Sequence, residues 1–180
     1  MRRISVQRPK EKLRGIKRRL KALDKWSESL IGFFPTEYAN EKYWNWKIPI
    51  LDRMVNRPTT NKGIQAHCAR AILRAASSIE KAKPENMKDA IVSALLTYPD
   101  MFDSEICVFF CNDYFSNFFI RNSENQKLIK LERGSLLSEL GITSINGFEE
   151  TGFHFVMKDR LEGEASIYES EWWSYRAIHG

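Results

Sequence analysis

The chain is short of cysteine, histidine and long apolar runs, and each shortage excludes something. Three cysteines in 180 residues, an odd number, point away from a disulfide framework. Cys107 and Cys111 fall in the most apolar stretch and read as buried thiols of a reducing cytoplasm. Four positions apart on a regular strand, they would lie about 13 Å from each other, too far to bridge. Of the three histidines, His67 sits beside Cys68 and projects from a different helix face, and no second Cys or His pair has ligand spacing, so no metal site is expected. The nine glycines are isolated, which excludes a glycine-rich phosphate cradle. No apolar run approaches the roughly 20 residues that span a bilayer. The basic N-terminus has no apolar segment behind it and does not read as a secretory signal. There is no internal repeat, no low-complexity segment and no motif that calls for a cofactor.

What is present is ordinary globular material with an uneven charge. Hydrophobic residues at 43% and charged residues at 28% suit one sizeable core. Residues 1–25 hold 11 Lys or Arg against Glu11 and Asp24, a net of +9, whereas the remainder holds 17 basic against 21 acidic groups, a net of −4. The basic character therefore belongs to one end, and the body is mildly acidic.

The core is centred on Glu105–Ile120, which contains five of the eleven phenylalanines. Residues 106–111 are apolar without alternation, the pattern of a strand buried on both faces. Such a strand needs a layer above and a layer below. Before it, residues 1–9 read as a flexible basic arm. Residues 10–31 follow helical periodicity, with Leu13, Ile16, Leu20, Leu23, Leu30 and Ile31 on one face and Gly32 as the stop. A short helix over 39–47 and another turn or two over 50–55 are expected. Residues 61–82 form a strong helix behind the cap-like Thr59-Thr60-Asn61, with the stripe Ile64, Cys68, Ala71, Ile72, Ala75 and Ile79. Residues 85–97 are expected to form another helix, with Met87, Ile91, Ala94 and Leu95 inward.

After the buried strand, 112–120 reads as a turn followed by a strand or short helix carrying Phe115, Phe118 and Phe119. Strands are expected over 127–132 and 151–158, and over 165–168 and 172–178 as one long strand or two short ones, with a short helix from Gly134 to Leu140 and a turn at 159–163. The fold class is α+β: a helical N-terminal half packed on a mainly antiparallel sheet formed by the C-terminal half, with residues 10–180 as one domain.

The best functional signal is basic. Arg14, Arg18, Lys21 and Lys25 recur at three- and four-residue spacing, behind the arm residues Arg2, Arg3 and Arg8. A helix delivers such side chains to one side, as phosphate recognition requires. A solvated helix face explains the same pattern about equally well. Membrane-surface binding is a weaker reading, because no Trp or Phe joins the apolar face before Trp26. His67, Arg70 and Arg74 form a second ridge that extends this surface or holds one phosphate, although such ridges are usually helix exterior. Tyr43, Trp44 and Trp46, interleaved with Lys42 and Lys47, could stack bases. Anchoring of their segment to the core is the stronger expectation. Catalytic alternatives are His154 among Glu149, Glu150, Glu162 and Glu164, and Cys111-Asn112-Asp113 at a strand end. Neither has partners at diagnostic spacing.

The segments Asn40–Pro49 (NEKYWNWKIP) and Glu171–Tyr175 (EWWSY) resemble a family of small uncharacterised bacterial cytosolic proteins, with similarity along much of the chain. The resemblance brings no assigned chemistry, so no site residue carries over from it. It implies a bacterial cytoplasmic protein and keeps in view a toxin-neutralising role. The resulting expectation is a non-catalytic binding protein that contacts RNA or DNA through Arg14, Arg18, Lys21, Lys25, Arg70 and Arg74. The alternative is a protein–protein module of the immunity or antitoxin kind, meeting its partner with the acidic C-terminal sheet. A small enzyme ranks third.

Overall fold

A computed structural model describes residues 15–48, 61–99, 101–124, 127–128, 136–143, 146–160 and 167–178. The arm at 1–9, Arg14, the start of the first helix and the turns expected over 50–55 and 161–163 lie outside the described residues.

The chain is α+β. Helix α1 (Ile16–Ser29) leads to strand β1 (Tyr43–Lys47), α2 (Lys62–Lys81), β2 (Ile91–Tyr98), β3 (Glu105–Phe109) and α3 (Asn112–Glu124). Then follow β4 (Lys127–Leu128), α4 (Leu136–Glu139), β5 (Phe148–Arg160) and β6 (Ile167–Ala177). The six strands form one sheet in the order β1-β3-β2-β6-β5-β4, and every pairing is antiparallel.

β3 has the burial its sequence implies. All five of its residues are buried, with β1 on one side and β2 on the other; Cys107 pairs with both Asn45 and Ser93. Alternation divides its side chains between two cores. Ile106 and Val108 join a large core with Val92, Ala94, Leu96, Trp173, Tyr175, the inner face of α2 and Leu23 of α1. Cys107 and Phe109 join a smaller one with Ile91, Leu95, Phe115 and Phe119. The sheet thus lies between the α1–α2 pair and α3.

Of the two N-terminal helices α2 follows its sequence signals, whereas α1 is shorter than the expected 10–31, and Ile31, expected on its inner face, lies past its end and is 69% exposed. The Asn61 side chain accepts a hydrogen bond from the Ile64 amide at 3.2 Å, a cap of the kind worth about 1 kcal/mol. Cys68, Ala71, Ile72, Ala75 and Ile79 are fully buried. Helix α1 begins after Gly15 (φ 74°) and is followed by Gly32 (φ 75°), two left-handed positions at which a side chain would be strained.

Several expected elements differ. Residues 85–97 are not a helix: a 3₁₀ turn at Glu85–Met87 precedes β2. Seven consecutive residues of β2, from Ile91 to Thr97, are buried. A strand covered on both faces has no alternation, and the Ile91, Ala94, Leu95 spacing mimics a helical stripe. Residues 43–47 are likewise a strand, with Trp44 and Trp46 on one face and Tyr43, Asn45 and Lys47 on the other; aromatic side chains suit a pleated surface. Residues 112–124 resolve into helix α3, so Cys111 lies just past the strand and not on it. In place of the strand expected over 127–132 the described part is Lys127–Leu128. β5 continues to Arg160 through the first positions of the turn expected at 159.

Candidate polyanion-binding surface

The basic surface begins with the way α1 sits on α2. Leu23 and Ser27 of α1 are buried, while Ile16, Leu20 and Trp26 pack partly against the large core. At 100° per residue, this leaves Lys17, Lys21, Lys25 and Arg18 on the outer arc that begins at Asp24. All four are exposed. Lys17, which periodicity alone did not single out, belongs to this arc because Ile16 and Leu20 turn inward on either side of it.

Asp24 faces α2. Its Oδ1 accepts a hydrogen bond from Arg74 Nη2 at 2.8 Å and lies 3.1 Å from His67 Nε2. Arg74 Nε donates to Ser27 Oγ at 3.1 Å, and Ser27 Oγ donates to the Asp24 carbonyl at 2.8 Å. Arg74 therefore clamps the two helices with two of its three nitrogens, and its Nη1 bonds to no described residue. Arg70 stands one turn earlier on the same stripe. It is exposed and, among the described residues, has no ion-pair partner.

Against the same stretch of α2 lies a cavity of about 310 Å³. Leu73, Ile142 and Phe148 form its apolar wall, and Arg70, Arg74, Ser77 and Asn146 supply polar groups. The stripe His67, Arg70, Arg74 thus meets α1 through Asp24 and this cavity through Arg70 and Arg74. Of the residues expected to contact nucleic acid, Arg18, Lys21 and Lys25 lie on the arc, Arg70 and Arg74 lie on the stripe, and Arg14 is outside the described residues. The cavity could not be anticipated, because it depends on Ile142, Asn146 and Phe148 meeting α2 across a long stretch of sequence.

The aromatic group is engaged internally. Trp44 stacks on Tyr38 with centroids 3.7 Å apart and 8° between planes. Trp46 meets Phe33 edge-on at 5.7 Å, and Tyr43 stacks with Tyr114 at 5.6 Å. These contacts pin β1 to its neighbours, with Trp44 and Trp46 half-buried and Tyr43 37% exposed.

A second polar group lies under the opposite face. Asn45 Nδ2 donates to Glu105 Oε2 at 2.7 Å, and Cys107 Sγ lies 3.7 Å from Oε1. Burial raises the pKa of Glu105, against the lowering effects of Asn45 and Lys47. Burial also holds the Cys107 thiol well above its usual range, which makes it a poor nucleophile. Cys111 is exposed at the start of α3. His154 pairs in register with Trp173 just past an irregularity in β5; the surroundings of its side chain lie outside the described residues. No group of three or more His, Cys, Asp or Glu that could hold a metal ion occurs among the described residues, and none of the described helices is long and apolar enough to cross a membrane.

The family profile described as "Protein of unknown function (DUF3916)" matches residues 24–177. The chain belongs to this family. The match begins at Asp24, the clamp residue of α1, and runs through β6 to Ala177. It thus takes in Arg70, Arg74 and every residue of the cavity, whereas Lys17, Arg18 and Lys21 precede it. No curated protein and no solved structure matches the chain.

Proposed function

We propose that this protein binds a polyanion, RNA or DNA, without catalysis, across the surface formed by α1 and α2. What supports the reading is one observation: four exposed basic residues of α1 (Lys17, Arg18, Lys21, Lys25) lie beside the α2 stripe of His67, Arg70 and Arg74. Lys17 and Lys25 are about 12 Å apart along the helix axis, enough to meet more than one phosphate. The contacts on offer are Lys and Arg side chains on a helix face, which bind the backbone and carry little sequence information. Glu28 limits the surface towards the C-terminal end of α1. The +9 segment adds long-range attraction and a faster encounter. We place the protein in a reducing cytoplasm, in keeping with free thiols at Cys68, Cys107 and Cys111.

The test is fluorescence anisotropy with labelled RNA and DNA over a salt series. The full chain should bind, with log affinity falling linearly in log salt. Replacing Lys17, Arg18, Lys21 and Lys25 with Ala should weaken binding at least tenfold and flatten the slope by up to about 0.9 for each lost duplex phosphate contact, or about 0.7 on a single strand. Equal binding by the quadruple variant would remove α1 from the interface. No binding by the full chain at low salt would overturn the reading.

A further inference from the structure

The cavity beside α2 has the composition of a ligand site for one small unit. Its volume of about 310 Å³ is at the lower end for small-molecule sites. Its lining combines the apolar Leu73, Ile142 and Phe148 with the polar Arg70, Arg74, Ser77 and Asn146. Asp24 offsets one of the two Arg charges, being 2.8 Å from Arg74 Nη2. The lining residues with donors left for a ligand are therefore Arg70, which has no ion-pair partner among the described residues, Arg74, whose Nη1 bonds to no described residue, and Ser77. A planar fork matches paired phosphate oxygens, and the further donors suit the third oxygen of a phosphate monoester. The apolar wall suits a flat, weakly polar body attached to that phosphate. The Asn146 amide, both donor and acceptor, suits the edge of a heterocycle.

We propose that this cavity binds a nucleoside monophosphate unit, with the phosphate on Arg70, Arg74 and Ser77 and the base against Leu73, Ile142 and Phe148. The unit is either a free nucleotide or the phosphorylated end of a strand; only the strand-end form rests on the polyanion reading. A site of this kind would give the protein a preference that the helix surface alone lacks.

Isothermal titration with adenosine 5′-monophosphate, adenosine and inorganic phosphate tests the site. The monophosphate should bind at least roughly tenfold more tightly than either of the others. Arg70→Ala should abolish that advantage, Arg70→Lys should restore it only in part, and Asn146→Ala should weaken the nucleotide and leave inorganic phosphate unaffected. Arg70 and Asn146 are exposed, so unchanged circular dichroism is expected for these variants. A short single strand with a 5′-phosphate is then compared with the same strand ending in a hydroxyl. Tighter binding of the phosphorylated strand assigns the site to strand ends, and equal binding assigns it to free nucleotides. A monophosphate that binds no better than inorganic phosphate, or equally well to Arg70→Ala, overturns the proposal even when strands bind. Loss of strand binding with nucleotide binding intact overturns the polyanion reading and leaves the cavity assignment standing.

Discussion

The two faces of the sheet are covered in opposite ways. On one face α2 contributes small side chains, with Ala66, Ala69, Ala71, Ala75 and Ala76 all buried, and α1 and α4 complete the layer. On the other, α3 is the helix among the described residues, and it brings Phe115 and Phe119 against Phe109 at 5.2 and 6.2 Å. A helix lined with alanine sits close to the sheet and leaves its outer stripe clear for charge. A single helix over a wide sheet must fill the space with rings. On the function proposed above, the difference separates the binding face from a face that serves stability, and mutations can test that division.

The largest expected effect is on the aromatic face. Phe109 is fully buried and touches five other rings. Phe109→Ala should destabilise the protein by about 3–5 kcal/mol, measured by urea unfolding, while a variant that still folds keeps its polyanion affinity. A loss below 1 kcal/mol would mean that α3 does not hold the face as argued. The converse change on the alanine side is Ala75→Leu. Ala75 has no exposed surface, so the added carbons must push α2 from the sheet, at about 1–3 kcal/mol. If the close approach of α2 also shapes the ligand surface, this variant should weaken nucleotide binding as well, which Phe109→Ala should not.

The next effect is a pH dependence. Burial raises the pKa of Glu105 above its ordinary value, with Asn45 and Lys47 opposing. The folded protein therefore holds this proton at pH values where the unfolded chain has released it. Stability from this group is present at low pH and declines as pH rises from the ordinary carboxylate value to the raised one. Glu105→Gln keeps an acceptor for Asn45 and removes the charge. It should flatten that decline and raise the melting temperature at neutral pH. A variant less stable than the parent at pH 7 would show that the charged form is favoured in the fold.

The same contrast explains what could be read from the residues alone. β3 was legible because an unbroken apolar run between polar turns has one good home, the middle of a sandwich. α2 was legible through Asn61 and a stripe of Cys68, Ala71, Ile72, Ala75 and Ile79. β2 was not, because burial on both faces erases the period that separates a strand from a helix. In β1, alternation runs only over Trp44-Asn45-Trp46-Lys47, too short a stretch to separate a strand from a helix. α3 stayed undecided because Phe115, Phe118 and Phe119 suit a helix, whereas the aromatic content suits a strand. The outward arc of α1 followed from spacing. The clamp joins residues 43 to 50 positions apart, and no local pattern encodes such a meeting.

That clamp carries the smallest and most discriminating prediction. Arg74 can serve the fold, through Asp24 and Ser27, or the ligand, through Nη1, and the two roles make different demands on the side chain. The pair with Asp24 is half exposed, at 49% and 33%, so its contribution should be about 0.2–1 kcal/mol. Arg74→Ala should lower stability by that amount, and Asp24→Asn should do nearly the same. The double variant should cost less than the two single losses added together, because each removes the same contact. Nucleotide binding should separate the two single variants. Arg74→Ala removes a cation from the cavity and weakens the monophosphate. Asp24→Asn removes the carboxylate that offsets Arg74, so the monophosphate should bind more tightly despite the weaker fold. Equal weakening by both would make the clamp a purely positional device, with Arg70 the only guanidinium acting on the phosphate.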